Sequence, residues 1–231
     1  MNRRGVQHRS HPDPQSFIQK NMRLVPVHQL PGISLFATHP GTGIWRLTEM
    51  DGEEGDPPPP YWAYQWAGGL VLAHYFLHRP ESVAGLRVLD LGAGSGIVGI
   101  AAAKAGAAAV ICADVDPHAI AALGLNGAAN GVVLEVVGRD MIDGPVPDVD
   151  IVAVGDLYYE QALALRVTAF LDQCLAVGIR VLVGDPGRAY LPRGRLSVIA
   201  EYPVTDFGET GAAGLKPGFI FALEAKRDGL A

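Results

Sequence analysis

The fold is decided by the stretch Val88-Leu89-Asp90-Leu91-Gly92-Ala93-Gly94-Ser95-Gly96-Ile97-Val98-Gly99. An apolar run over residues 86–91 passes into alternating glycines, and an alanine-rich segment continues to residue 107. This order predicts a strand, a tight loop and a helix. Glycines between a strand and a helix let the backbone approach a ligand closely, so the stretch is typical of a loop that binds a nucleotide cofactor.

Two classes of cofactor fit this loop. Residues 94–99 match the G-x-G-x-x-G pattern of dinucleotide-binding proteins, whose backbone approaches a pyrophosphate. Asp90 favours the other class, because a carboxylate at the strand tip would repel a pyrophosphate but would attract the ammonium group of S-adenosylmethionine (SAM). We therefore predict that Asp90, Gly92, Gly94 and Gly96 bind SAM.

Two further carboxylates are predicted to contact the nucleoside. Asp114 ends the second predicted strand, about 20 residues beyond the glycines, where a carboxylate can accept hydrogen bonds from ribose hydroxyls. The alternative for Asp114 is a turn or a helix cap before Pro117. Asp140 follows the third predicted strand and could accept a hydrogen bond from the adenine amino group, with a solvated loop as the alternative.

Strands and helices alternate through the rest of the chain, which indicates an α/β fold with a doubly wound parallel sheet. Ligands of such sheets lie beyond the carboxyl ends of the strands. Five carboxylates fall at those predicted ends: Asp90, Asp114, Asp140, Asp156 and Asp185. This negative rim is expected to attract a cationic cofactor and a cationic substrate such as an amine.

Composition excludes several classes of function. The 231 residues carry a net charge of −6, which argues against nonspecific nucleic-acid binding. No apolar run reaches the roughly 18 to 20 residues that a membrane span requires. Cys112 and Cys174 lie in apolar runs, which favours core packing in a reducing compartment over a disulfide or metal site, and no metal site is predicted.

The N-terminal part of the chain is predicted to lead into the main domain. We expect residues 1–56 to form an extension, with about the first 14 residues disordered, and residues 57–231 to form the SAM-binding domain. Trp62 and Gly69 lie in an aromatic and glycine-rich segment, over residues 61–69, that could form a lid near the cofactor. The alternative is a helix that simply packs on the sheet.

The segment Asp156-Leu157-Tyr158-Tyr159 carries the predicted acceptor site. Methyl transfer from SAM is an in-line displacement, and the nucleophile must lie about 3 Å from the methyl carbon. An amine acceptor must also be neutral, and a positive sulfonium in a desolvated pocket favours loss of its proton. We predict that Asp156 orients the nitrogen and that Tyr158 or Tyr159 forms a wall. A capped turn is the alternative for Asp156.

The same segment resembles the Asp/Glu-x-x-Tyr/Phe signature of the seven-strand, SAM-dependent protein-lysine methyltransferases. The resemblance is closer to those members that modify the β-subunit of electron transfer flavoprotein. The matching segments are residues 17–21, 44–49, 60–69, 88–96, 114–117, 155–159 and 184–188. The fold that this implies is a Rossmann-like class I methyltransferase with a mostly parallel seven-strand sheet and a short N-terminal extension.

The resemblance implies methylation of lysines on that β-subunit, near its docking surface for dehydrogenases. It also implies Asp156 and Tyr159 as the acceptor-site pair, with Trp62 and Gly69 near SAM. Residues 214–219 differ from the animal enzymes. The alanine-rich sequence looks bacterial and therefore cytoplasmic, whereas a eukaryotic member would lie in the mitochondrial matrix. We expect a monomer without nucleic-acid or membrane partners.

Three other functions stay open at this stage. The first is a small-amine N-methyltransferase of the nicotinamide type, which would need a closed aromatic pocket. The second is a SAM- or nucleotide-binding module without catalysis. The third is an NAD-dependent dehydrogenase, which Asp90 and the lack of an evident catalytic His or Lys disfavour. His74, His78 and His118 are interpreted as packing or surface residues.

Overall fold

The computed structural model describes residues 13–44, 59–206 and 214–226. Its helices are α1 (Pro14–Asn21), α2 (Ala67–His78), α3 (Ile97–Lys104), α4 (Pro117–Ala129) and α5 (Gln161–Ala176). Its strands are β1 (Arg23–Val27), β2 (Leu30–Ala37), β3 (Arg87–Leu91), β4 (Ala109–Ala113), β5 (Glu135–Val137), β6 (Ile151–Gly155), β7 (Arg180–Asp185), β8 (Leu196–Thr205) and β9 (Leu215–Leu223).

Seven strands form one sheet in the order β5-β4-β3-β6-β7-β9-β8. The first five are parallel, whereas β9 pairs antiparallel with both β7 and β8. Helices α2 and α3 cover one face, and α5 covers the other. The central strand β6 is therefore buried on both sides, which is why its sequence is almost entirely apolar. The predicted doubly wound, mostly parallel seven-strand sheet is confirmed.

The N-terminal part consists of α1 and the β1–β2 hairpin, and it packs on α4. Asn126 and Asn130, one turn apart on α4, accept hydrogen bonds from the backbone N–H groups of Phe36 and Ser34. These amide side chains join the hairpin to the main sheet layer. Residues 1–12 and 45–58 lie outside the described residues, and so do the predicted disordered start, the predicted boundary at residue 56 and most of the segment 44–49.

Two strands differ in their bounds from what the apolar pattern predicts. The pattern predicts a strand over residues 132–137, whereas β5 covers only the last three of these residues, at the sheet edge beside β4. The pattern also predicts a last strand from residue 218, whereas β9 begins at Leu215 because it extends along β8 beyond β7. Cys112 and Cys174 are buried and free, as predicted. Within the described ranges, no helix is long and apolar enough to cross a membrane.

Candidate active site

A cavity of about 500 Å³ lies beyond the carboxyl ends of β3, β4 and β6. This is the position at which open α/β sheets bind ligands, and the volume suits a cofactor-sized molecule. The lining includes Tyr61, Trp62, Trp66, Gly92, Gly94, Asp114, Asp116, Arg139, Asp140, Asp156, Tyr159, Arg166 and Arg188. One cavity thus contains most of the residues that the sequence indicated.

The glycine loop forms the floor of the cavity. Gly92, Gly94 and Gly96 have φ angles of 69°, 51° and 81°, which L side chains rarely adopt. A Cβ at Gly92 would lie 2.7 Å from the Leu157 side chain, and one at Gly94 would fill the space against Trp62. Gly92 and Gly94 line the cavity, whereas Gly96 is the N-cap of α3 and does not.

Asp114 lies on the cavity wall and braces the loop. Its Oδ2 accepts a hydrogen bond from the Gly94 N–H at 2.8 Å, and its Oδ1 accepts from the N–H groups of Val115 and Asp116. Burial raises the pKa of Asp114 against these hydrogen bonds. The helix cap that was the alternative role belongs to Asp116, whose side chain accepts from the His118 N–H at the start of α4.

Asp90 lies beneath the loop and is absent from the cavity lining. Its carboxylate is 1% exposed and accepts a hydrogen bond from the Gly99 N–H at 2.9 Å, in the first turn of α3. The structure therefore differs from the expected direct contact with an ammonium group. The reason is the strand's alternation of faces: the side chain of Asp90 points towards α3, and its neighbours Leu91 and Gly92 reach the cavity.

Asp140 reaches the cavity but is already paired. Its Oδ2 accepts a hydrogen bond from Arg166 at 2.7 Å, and Arg166 also binds Asp143. Partial burial alone would raise the pKa of Asp140, but the hydrogen bonds from Arg166 and from the Ile142 N–H lower it below its usual value. The structure thus brings an ionised carboxylate and Arg166 to the wall where the adenine contact was predicted.

Trp62 lines the cavity, whereas Gly69 does not. Trp62 is 4% exposed, stacks on His118 at 5.9 Å and lines the cavity, where it also packs on Phe17 and Ile18 of α1. Gly69 lies behind the wall, and its N–H donates to Asp156. In the 61–69 segment, Trp62 contacts the cavity and the glycines lie in the first turn of α2, which packs on the sheet, while the lid stays a prediction.

Asp156 follows β6 with a φ of 57°, and it is the non-glycine residue with positive φ among the described residues. Its Oδ2 accepts from the Gly69 N–H at 3.0 Å. Its Oδ1 accepts from the Nε and Nη2 atoms of Arg188 at 3.0 and 2.6 Å. Burial raises the pKa of Asp156 to about 6, although the Arg188 guanidinium opposes this shift.

Of the two tyrosines, only Tyr159 forms a wall of the cavity. Its ring is half-exposed and lies 5.5 Å from the ring of Tyr61, which in turn contacts Trp66 edge-on. Tyr158 is fully buried in the core on the α5 side, so of the two tyrosines predicted as alternatives Tyr159 is the one at the cavity. Adjacent residues after a strand point in opposite directions, and this placed one ring in the cavity and one in the core.

Two arginines at the site were missed from the residues alone. Arg188 binds Asp156, and Arg166 binds Asp140. Asp185 does not join the cavity, because it is buried and its Oδ1 accepts from the N–H groups of Gly187 and Arg188. The predicted rim of five carboxylates is therefore reduced to three at the cavity, and arginines partly neutralise it. The motif 184–188 was the signal that could have indicated Arg188.

The residues that line the cavity fit SAM. Gly94 lines the floor with a φ of 51°, which favours glycine, Asp114 presents a carboxylate that can accept from ribose hydroxyls, and Trp62 adds an aromatic side chain. Arg166 and Arg188 are paired with carboxylates, and four aspartates share the lining with the three arginines, so the site suits a cationic cofactor without phosphate. Within the described ranges, no group of three or more His, Cys, Asp or Glu side chains could hold a metal ion.

The three histidines pack on other rings or lie at the surface, since His78 is exposed. His118 lies between Trp62 and Phe17, and His74 stacks on Tyr202. The ring of His78 lies 5.6 Å from that of His74. Their positions in helices agree with the predicted packing role.

Comparisons with known proteins agree with this geometry. A protein of Danio rerio named electron transfer flavoprotein beta subunit lysine methyltransferase is 36% identical over 227 residues, which are 95% of this chain and 86% of that protein. The Homo sapiens protein of the same name is 30% identical over 92% of this chain and 83% of that protein. The ribosomal protein L11 methyltransferase (PrmA) family matches residues 76–154.

The fold also has a counterpart among solved structures. Ribosomal protein L11 methylase from Lactobacillus delbrueckii subsp. bulgaricus aligns with a TM-score of 0.51 and 22% identity. The alignment covers 70% of this chain and 81% of that chain. This likeness identifies the fold as that of the class I methyltransferases.

Proposed function

Because the chain belongs to the electron transfer flavoprotein beta subunit lysine methyltransferase family, we propose that it methylates lysine side chains of that β-subunit with SAM as the methyl donor. One observation carries the proposal for this chain's own residues. The cavity joins a glycine loop and Asp114 on one side to Asp156 and Tyr159 on the other. A cofactor site and an acceptor site thus share one space.

Gly92, Gly94, Asp114 and Trp62 would hold SAM in this proposal. The loop backbone gives close contact, and the Asp114 carboxylate accepts from ribose hydroxyls. When bound, SAM supplies a methyl group on a positively charged sulfur. The amine lone pair forms the new N–C bond as the S–C bond breaks, and S-adenosylhomocysteine leaves. The proton that the amine must lose is released to water.

Asp156 would orient the acceptor nitrogen. An ionised carboxylate offers about four acceptor positions, and three are filled by two N–H groups of Arg188 and the N–H of Gly69. About one position is left for an N–H of the substrate amine. Such a fixed acceptor aligns the nitrogen, and alignment supplies a large part of the rate of a displacement between bound groups.

The tyrosines favour a protein substrate over a small amine. Tyr61 and Tyr159 are 41% and 45% exposed, contact each other and line the cavity, so an aromatic part of its wall faces solvent. A lysine side chain of a folded protein needs a cavity open to solvent, whereas a nicotinamide-type ring needs enclosure. The small-amine function is therefore the second candidate.

The test is methyl transfer from labelled SAM to purified electron transfer flavoprotein, with intact-mass analysis of the β-subunit. We expect mass increments of one methylene each with the wild type and only a small residual gain over the same time with Asp156→Asn, while SAM still binds to both. Asn is the preferred replacement because it tolerates positive φ. Asp172→Asn, at an ion pair with Arg195 outside the cavity lining, is the matched control.

Two results would contradict the proposal. Turnover of a panel of small amines including nicotinamide, without any mass gain on the flavoprotein, would support the second candidate. SAM binding without turnover of any acceptor would support a non-catalytic module.

A further inference from the structure

Arg188 joins the acceptor side of the cavity to three neighbouring elements. Its guanidinium binds Oδ1 of Asp156 through two nitrogens, lies 3.5 Å from Asp206 after β8, and lies 5.5 Å over the Trp66 ring. The side chain is mostly buried. The proposed function counts Arg188 only as a hydrogen-bond partner of Asp156 and assigns it no role of its own in transfer.

The backbone of Arg188 is held as firmly as its side chain. Asp185 accepts hydrogen bonds from the N–H groups of Gly187 and Arg188, both at 2.7 Å. Arg193 donates to the carbonyl oxygens of Gly187 and Arg188 from the other side. A side chain on a loop fixed at both edges points in one direction, which argues for a constant role in place of a moving gate.

We infer that Arg188 is a positioning residue for methyl transfer: it fixes the Asp156 carboxylate so that its remaining acceptor position meets the substrate nitrogen. The inference rests on the proposed function for its consequence in turnover. Its structural content, that Arg188 acts through Asp156, does not depend on the identity of the acceptor.

The charges around Asp156 support this role. The groups that face it are Arg188 and Asp185 from the β7 end, Asp206 beyond β8, and the uncharged first turn of α2. Burial raises the pKa of the Asp156 carboxyl, and Arg188 opposes the rise. Removal of Arg188 therefore favours the protonated acid, which would lose one acceptor position and turn a donor towards the amine.

The functional test compares three variants by steady-state kinetics with the flavoprotein. Arg188→Met keeps length but removes charge and donors, and Arg188→Lys keeps the charge without the two-nitrogen contact. Arg195→Met is the control, because Arg195 forms a similarly buried pair with Asp172 outside the cavity lining. We expect Arg188→Met to lower kcat about 100-fold, with KM and the SAM Kd changed less than about threefold. Arg188→Lys should recover part of kcat.

A second measurement does not need activity. The thermal midpoints of the wild type, Arg188→Met, Asp156→Asn and the double variant are compared at pH 5 and pH 8. When folding raises the pKa of a carboxyl, the folded state loses stability as the pH rises from the unfolded pKa to the folded pKa of that group. Arg188→Met raises the pKa of Asp156 further. The decrease of its thermal midpoint relative to the wild type should therefore be greater at pH 8 than at pH 5. The pH-dependent part should disappear in the Asp156→Asn background.

The outcomes separate the two ideas. If the wild type does not modify the flavoprotein, the proposed substrate fails, and the midpoint comparison alone decides whether Arg188 acts through Asp156. If the pH-dependent loss persists in the Asp156→Asn background, the inference fails whatever the substrate. A change in KM alone, or an equal loss of kcat in Arg195→Met, would also overturn it.

Discussion

Oδ2 of Asp114 accepts a hydrogen bond from the backbone N–H of Gly94 at 2.8 Å. Asp114 directly follows β4, Gly94 lies in the loop after the neighbouring strand β3, and the two are 20 positions apart in the chain. The bond means that the carboxylate proposed to bind the ribose also holds the glycine loop in shape. Cofactor binding and loop geometry therefore depend on one side chain.

Replacement of Asp114 by Ala should weaken SAM binding. The change removes the proposed contact with the ribose hydroxyls and the support of the loop, and each hydrogen bond to a charged group contributes about 1.5–3 kcal/mol. We expect the SAM Kd to rise about 10- to 100-fold in isothermal titration calorimetry. Asp148→Ala, at an exposed aspartate, is the control. An unchanged SAM Kd in Asp114→Ala would contradict the role of Asp114 in ribose binding.

The pH dependence of transfer should show a break near pH 6. Burial raises the pKa of Asp156 to about 6, and transfer needs this group ionised and the lysine amine neutral. Below pH 6, both the Asp156 carboxyl and the lysine ammonium must lose a proton before transfer. Above pH 6, only the lysine must, because a free lysine has a pKa of about 10.4. Log(kcat/KM) should thus rise with a slope of about 2 below pH 6 and about 1 above it.

Asp156→Asn provides the control for that profile. Its residual transfer should follow a slope of about 1 through the same range, since only the amine then titrates. A break that survives in Asp156→Asn would assign it to another group.

The sequence predicted the order of the parallel strands well because β3, β4, β6 and β7 are mostly apolar runs that end at, or just before, an acidic or glycine residue. It could not predict which side chains face the cavity. Asp90 and Asp114 end adjacent parallel strands, yet Asp90 points beneath the loop and Asp114 into the cavity. Strands that are buried on both faces carry no alternation of polar and apolar residues from which a face could be read.

The helix caps show what else the sequence concealed. The N-cap residues of α2 and α3 are Trp66 and Gly96, and neither caps its helix with a side-chain hydrogen bond. Asp156 accepts from Gly69 in the first turn of α2, and Asp90 accepts from Gly99 at the equivalent position of α3. These caps come from residues distant in the chain, so local start signals could not indicate them.

Glycines at two helix positions should respond in opposite ways to Ala. A Cβ at Gly68, in the first turn of α2, would lie 2.1 Å from the Gly184 carbonyl oxygen and 2.6 Å from Oδ2 of Asp156. A Cβ at Gly124, within α4, meets nothing within 4 Å. We expect Gly68→Ala to lower the free energy of unfolding by more than about 2 kcal/mol, and Gly124→Ala to raise it by about 0.5–1 kcal/mol.

Urea unfolding of both variants measures the difference. Equal effects of the two replacements would show that α2 does not approach β6 and β7 as closely as the structure has it.

Asn126 should link the N-terminal hairpin to cofactor affinity. Its side chain is fully buried, donates to the Ser95 carbonyl of the glycine loop and accepts from the Phe36 N–H. Asn126→Ala leaves both backbone groups unpaired, which should lower the free energy of unfolding by about 2–4 kcal/mol and also weaken SAM binding.

Asn130→Ala is the matched control, since Asn130 contacts Ser34 of the hairpin but not the loop. It should lose stability while the SAM Kd, measured by calorimetry, stays within about twofold of the wild type. Equal losses of SAM affinity in both variants would place the effect in the hairpin instead of the loop.

The stability of the ligand-free protein should increase when the charge of Asp90 is removed. Burial raises the pKa of Asp90 to about 7, against the hydrogen bond from Gly99, and the charge of Asp114 adds to the rise. An unfolded aspartate titrates near 3.9, so the folded state loses stability as pH rises from about 4 to 7. Asp90→Asn keeps the shape and an acceptor for the Gly99 N–H but cannot ionise. Its free energy of unfolding should exceed that of the wild type by a few kcal/mol at pH 8 and much less at pH 5, measured by urea denaturation beside the exposed-site control Asp148→Asn. A loss of stability at pH 8 would mean that the ionised carboxylate, as the cap of α3, contributes more to the fold than its burial costs.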